Sequence, residues 1–322
     1  MVRISRTLLV APLLAGLAGC KMVVMDPAGD VAMQQRDLVL LATGLMLLII
    51  VPVIGLTLFF AWRHRASNTA APYDPEWSHS TRLEVAIWGA PLAIILVLGA
   101  VTWIACHSLD PYRPIERLAP GRPIPAGVEP LEVQVVALDW KWLFVYPQLG
   151  IATVNELAAP IDRPIAFKIT ASSVMNSFYV PALAGQIYAM PGMQTQLHAV
   201  VNRPGVYDGF SANYSGAGFS GMRFKFHGMA PADFDRWAAG VRSSGASLTK
   251  ADYVALARPS SDDPVRRYGA VAPELFSQIL NRCVEPGQVC KSHGMTMAAI
   301  SAPAAGKALC ATPRLPAPRP AS

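Results

Sequence analysis

The chain has 322 residues, of which 52% are hydrophobic and only 15% charged, with a mean hydropathy of +0.34. Soluble domains carry about 25% charged residues, so an ordinary cytosolic protein is excluded and the surplus apolar residues must be concentrated in particular segments. A net charge of +6, with no basic run longer than Arg266-Arg267, leaves no electrostatic footprint for nucleic acid.

The first segment, residues 1–19, reads as an export signal. Arg3 and Arg6 precede the apolar stretch Leu8 to Leu14, and small residues follow. Its end, Leu17-Ala18-Gly19-Cys20, resembles a bacterial lipoprotein box, which implies lipidation at Cys20. A retained first anchor is the alternative, but the apolar stretch is too short to span a bilayer, so cleavage is expected. Residues 20–37 then form an exported N-terminal segment.

Leu38 to Trp62 holds 25 residues without a charge, and Val85 to Cys106 holds 22. At about 1.5 Å rise per residue both exceed a hydrocarbon layer of about 30 Å, so both are expected to be transmembrane helices. Pro52 and Pro91 inside them are tolerable where neighbouring helices satisfy the freed carbonyls. Trp62, Trp88 and Trp103 lie near span ends, as interfacial anchors or as packing residues. Arg63, Arg65 and Arg82 in the connector 63–84 place it in the cytoplasm by the positive-inside rule. The N-terminal segment and the domain after the second span are then both exported.

Residues 107–130 form a Pro-rich connector, with six prolines between Asp110 and Pro130. From Leu131 the pattern alternates with period two, in Leu131 to Val135, Ile165 to Thr170 and Met222 to His227. Turn signals at Ala159-Pro160 and Arg203-Pro204-Gly205 separate these runs. A β-sandwich over 131–228 is expected. After Gly228 the pattern turns helical, at Ala232 to Val241, Lys250 to Ala257 and Pro273 to Leu280, giving a helical extension over 229–297. The Ala- and Pro-rich residues 298–322 read as a disordered tail.

Two spans, a Pro-rich connector and an exported sandwich resemble subunit II of the haem–copper terminal oxidases, over roughly residues 30 to 280. Leu138-Asp139-Trp140-Lys141-Trp142 is similar to that family's aromatic segment. Val174 to Pro181 and Ser211 to Met222 are similar to its two metal-binding segments. The resemblance implies a membrane α + β protein: a two-helix transmembrane hairpin, an exported cupredoxin-like sandwich and a short helical C-terminal extension. The copper-binding branch carries a dinuclear copper centre, with a His on the first segment and Cys-x3-Cys-x3-His-x2-Met on the second. Aligned on Met222, this chain has Phe219 at the His, Ser215 and Ser211 at the cysteines, and Asn176 at the first His. Asn213 takes the place of a magnesium-linked glutamate. Copper is gripped by thiolates and imidazoles, and only Met222 keeps a ligand type.

The loss points to the quinol-oxidising branch, of bo or ba type. The run Ala212 to Met222 resembles that branch, and Phe234, Trp237, Tyr253, Tyr268 and Phe276 lie in a segment resembling its aromatic-rich extension. The resemblance implies no cofactor in this subunit, with haems and one copper in a large partner, subunit I. Smaller membrane subunits, membrane lipid and, for the whole complex, ubiquinol are the other expected partners. The expected place is the bacterial inner membrane with the C-terminal domain in the periplasm. Two further readings remain: a cytochrome c oxidase subunit that keeps the copper centre, and a membrane-tethered lipoprotein whose sandwich is a binding or assembly module.

Glu84 matches a family glutamate at the cytoplasmic mouth of a proton pathway and is the candidate proton-entry residue. Its bland reading is a capping box, with Thr81 as N-cap and Glu84 at N3. Trp140 and Trp142 are expected to pack structurally, against subunit I. Cys283 and Cys290 flank a Glu-Pro-Gly turn in an oxidising compartment and could form a disulfide, with Cys106 and Cys310 as alternative partners. His293, Met295 and Met297 beside Cys290 could capture copper weakly, but a solvated tail is the simpler reading. His198 is expected to be a satisfied sandwich residue, and His64 and His79 ordinary surface residues.

Overall fold

The computed structural model describes residues 22–291, apart from positions 73 and 286. The export signal, Cys20, the Met/His-containing tail and Cys310 lie outside the described residues.

Two long helices come first, α1 (Asp30–Arg63, 34 residues) and α2 (Thr81–Ser108, 28 residues). At about 1.5 Å per residue they run roughly 51 and 42 Å, longer than the charge-free stretches within them. The excess of α1 is its polar first two turns, which follow the point where the chain leaves the sandwich. There Ala28 donates its N–H to the Ala182 carbonyl at 2.8 Å and accepts from Asn202 N–H at 2.8 Å. A Cβ on Gly29 would sit 2.2 Å from the Val200 carbonyl, so only glycine fits that crossing. Asp30 in the first turn complements the helix dipole and accepts from Arg117 Nε at 2.9 Å and Gln34 Nε2 at 2.7 Å. The middle of both helices exposes its apolar residues all round, as a lipid or helix partner requires.

The start of α2 differs from the expected capping box. The N-cap is Ser80, whose hydroxyl accepts from Leu83 N–H at 3.5 Å. Two hydroxyl residues adjoin, and the first takes the cap. Thr81 is thereby the first helical residue, and Glu84 lies one place too far along to close a box.

The Pro-rich connector carries a small hairpin, β1 (Arg117–Ala119) with β2 (Arg122–Pro123). The sandwich follows as β3 (Leu131–Leu138), β4 (Lys141–Tyr146), β5 (Ile151–Val154), β6 (Glu156–Pro160), β7 (Ile165–Ala171), β8 (Asn176–Tyr179), β9 (Ile187–Ala189), β10 (Thr195–Ala199), β11 (Gly205–Ser211) and β12 (Arg223–Met229). One sheet has the order β10-β7-β3-β4-β5 and continues onto β14 (Arg266–Tyr268); the other runs β6-β12-β11-β8-β9. The β3–β7 and β6–β12 pairs are parallel and their neighbours antiparallel. This is a cupredoxin-like sandwich. Trp142, Phe144, Phe167, Phe178, Phe224 and Phe226 fill its centre.

The extension is less helical than its sequence pattern. It contributes α3 (Pro231–Arg242), α4 (Lys250–Leu256) and α5 (Leu275–Leu280), but also β14, which pairs antiparallel with β5. A second pair, β13 (Ser247–Leu248) with β15 (Ala270–Val271), is parallel. Leu248, Tyr253, Leu256, Leu275, Phe276 and Ile279 cover the outer face of β3, β4 and β5, against Val136, Leu138, Leu143, Val145, Ala152 and Val154. A second apolar core results, and β4 and β5 are buried on both faces.

Candidate functional site

The pairing of β8 with β11 places Asn176 beside Ser211, because Phe178 opposes Ser211 and Tyr179 opposes Phe210. The Ser211 hydroxyl donates to Asn176 Oδ1 at 3.1 Å, with both residues buried. Asn176 Nδ2 donates to the Val174 carbonyl at 3.2 Å, and Asn213 Nδ2 reaches the Met175 carbonyl at 3.4 Å. The Ser211–Asn176 and Asn213–Met175 bonds tie the two segments together.

The loop then returns through a 3-10 turn, Phe219–Gly221, into β12. Phe219 packs edge-on against Tyr214, ring centroids 5.6 Å apart. Met222 donates its N–H to the Phe219 carbonyl at 3.1 Å, accepts from Ser211 N–H at 3.2 Å, and is fully buried in the sandwich core. The Ser215 hydroxyl is buried without a hydrogen-bond partner, while its carbonyl accepts from Trp140 Nε1 at 3.0 Å.

The donor chemistry does not fit a dinuclear copper centre. Carboxamide, hydroxyl and benzyl groups supply neither thiolate nor imidazole, and the Asn176 carboxamide oxygen already accepts from the Ser211 hydroxyl. Among the described residues no cluster of three or more His, Cys, Asp or Glu side chains has a metal-holding arrangement.

The tryptophans separate. Trp142 is not an intersubunit contact: it is wholly inside the sandwich, with Phe178 and Phe224 at 5.5 and 5.8 Å. Trp142 lies in β4 and points inward with Phe144, two places along, whereas Trp140 stands in the turn between β3 and β4, outside the alternation, and lies over the loop. Between them, Lys141 is 1% exposed, a burial that its place in an aromatic run did not announce. It lies 3.0 Å from the Asp263 carboxylate, which the extension supplies.

At the other end of the molecule, Glu84 is half-exposed and pairs with His79 Nδ1 at 2.7 Å. His79 thus faces a specific carboxylate rather than open water alone. His198 sits in β10 with Nδ1 at 3.2 Å from the Pro111 carbonyl. Cys283 and Cys290 are joined as a disulfide, and Cys106 is free and exposed among the described residues.

The family comparisons match this geometry. Residues 132–227 match the model of the cytochrome c oxidase subunit II periplasmic domain, and residues 242–287 match that of the COX aromatic rich motif. The cytochrome bo(3) ubiquinol oxidase subunit 2 of Pseudomonas putida is 50% identical over 266 residues, covering 83% of this chain and 82% of that protein. The chain belongs to the quinol oxidase subunit 2 family. The ubiquinol oxidase subunit 2 of Acetobacter aceti is 50% identical over 264 residues, covering 82% of this chain and 83% of that one. More distant is the quinol oxidase subunit 2 of Bacillus subtilis, at 36% over 250 residues, with 77% and 75% covered. In this quinol oxidase subunit 2 the two matched regions correspond to the sandwich and to most of the extension. Helix α3 bridges the gap between them.

Proposed function

We propose that the chain is the second subunit of a respiratory quinol:oxygen oxidoreductase in the bacterial inner membrane, and that it holds no redox group itself. The observation that carries this is the hydrogen bond between Ser211 and Asn176, which closes off two of the positions where copper-binding relatives place a thiolate and an imidazole. A water-soluble one-electron donor needs an acceptor on the exported domain. A quinol needs none there, because it is dissolved in the membrane and delivers electrons to a haem-bearing partner directly.

On this reading the haems and one copper reside in the large subunit I, joined by smaller membrane subunits. Two quinols supply the four electrons that reduce one oxygen molecule to two waters. The chain contributes its helix pair, α1 and α2, and a periplasmic sandwich that braces the exported face of the complex. Glu84, at the cytoplasmic start of α2, gathers protons for the partner, with the His79 imidazole 2.7 Å away. Cys20, once acylated, adds a second tether.

Metal analysis of the purified complex tests the proposal. Copper at the single equivalent assigned to subunit I supports it. Two additional copper ions per chain, with the absorption of a thiolate-ligated pair, would overturn it.

A further inference from the structure

The loop 212–222 keeps only Met222 as a metal-ligand type, yet it is held tightly from outside by two elements far apart in sequence. The first is Trp140. Its ring lies so close that a Cβ on Gly218 would be 2.5 Å from it and one on Gly216 would be 2.9 Å away. The second is the segment 258–263 of the extension. The same Cβ on Gly218 would lie 2.7 Å from the Ser261 hydroxyl, and a Cβ on Gly221 would lie 2.6 Å from Asp262 Oδ1. Glycines stand where Trp140 and the extension press in, because side chains there would collide.

The segment 258–263 is itself locked. Lys141 Nζ donates to the carbonyls of Arg258 at 2.9 Å and Asp139 at 3.1 Å and to the Ser260 hydroxyl, and pairs with Asp263 at 3.0 Å. Ser260 N–H returns to the Asp139 carbonyl at 3.0 Å, and Asn155 Nδ2 donates to the Asp263 carbonyl at 2.8 Å. A lysine so deeply buried is stable only when its charge and donors are all met, as they are here. Just beyond, Arg267 grips Glu156 with two bonds of 2.7 Å, so the segment is anchored at both ends.

We infer that Lys141 and residues 260–263 are positioning residues for the loop 212–222, performing by polypeptide packing the ordering that metal ligation performs in copper-binding relatives. The aromatic-rich extension thereby has a role in this subunit: it replaces the missing metal as the organiser of the loop. The inference deepens the copper-free reading but does not depend on quinol being the donor.

Hydrogen exchange measured on the intact complex, with Lys141→Met as the variant, is the test. The expected result is exchange at least about tenfold faster in 212–221 and 258–263, with β3 and β7 as protected as before. Unchanged protection of 212–221 would overturn the inference, and so would a loss spread evenly over β3 and β7, which marks general destabilisation. Should Lys141→Met fail to fold, Gly218→Ala acts from the loop side by inserting a methyl between Trp140 and Ser261. It is expected to speed exchange in both 212–221 and 258–263, and protection retained at 258–263 would contradict the brace. Neither readout uses turnover, so the donor assignment stands or falls separately.

Discussion

The hydroxyl of Ser211 and the carboxamide of Asn176 face each other at 3.1 Å across the β11–β8 pairing. Two side chains that stand at metal-ligand positions satisfy each other instead. Ser211→Ala leaves Asn176 Oδ1 buried and unpaired, at a cost of about 1 to 2 kcal/mol. Thermal denaturation of the complex should register that loss, while quinol turnover and copper content stay at the wild-type level. A fall in copper content on this substitution would show that Ser211 touches metal.

Trp142 is the largest side chain fully enclosed by the sandwich. Trp142→Ala removes ring contacts with Phe178 and Phe224 and is expected to destabilise the domain by about 4 kcal/mol. Trp140→Phe keeps an aromatic ring but loses the bond to the Ser215 carbonyl and part of the ring face against Gly216 and Gly218, a cost of about 1 to 2 kcal/mol. Denaturant melts of the two variants check the difference, and equal effects would contradict the assignment of one residue to the core and the other to the loop.

The carboxyl of Asp263 titrates low. Burial alone would raise it, but hydrogen bonds from Ser260 and Lys141 and the charges of Lys141 and Arg266 outweigh burial and hold it below the ordinary carboxylate range. A carboxyl held low in the folded state stabilises fully above its unfolded pKa of about 3.9, and that contribution is lost as pH falls through the folded value. The extension should therefore stay docked from neutral pH down to about pH 4 and loosen only below it. Exchange of residues 258–268 against pH follows this directly, and Asp263→Asn should remove that acid-linked loss. Release of the segment between pH 5 and 7 would contradict the account.

Glu84 lies beside His79 and outside the N-terminal cap, which Ser80 provides. Glu84→Gln removes the ionisable group and leaves the cap intact. Oxygen reduction by the complex should slow several-fold with α2 unaltered in its circular dichroism. Wild-type turnover in this variant would withdraw the proton-entry role.

The legible parts of this molecule are those governed by a single physical length or period. The two long apolar helices follow from hydrocarbon thickness, and the inward faces of β3, β7 and β12 follow from alternation. Local competition and long-range burial were harder to read. Ser80 and Thr81 both offer a capping hydroxyl, and only geometry decides that the first is used. Arg266-Arg267-Tyr268 has no apolar alternation, because β14 is an edge strand whose Arg267 faces the buried Glu156 carboxylate. The burial of Lys141 between two tryptophans could not be read locally, because its counter-charge is Asp263, distant in sequence. The degenerate loop itself was legible residue by residue, but what holds it in shape was not, since that support comes from the extension.

The most direct test of the central claim is oxygen consumption by the purified complex with ubiquinol and with reduced cytochrome c offered separately. Rapid uptake with ubiquinol and none above background with cytochrome c is the predicted outcome. Comparable uptake from cytochrome c would mean that an electron acceptor exists on the periplasmic face after all, and the account would be wrong.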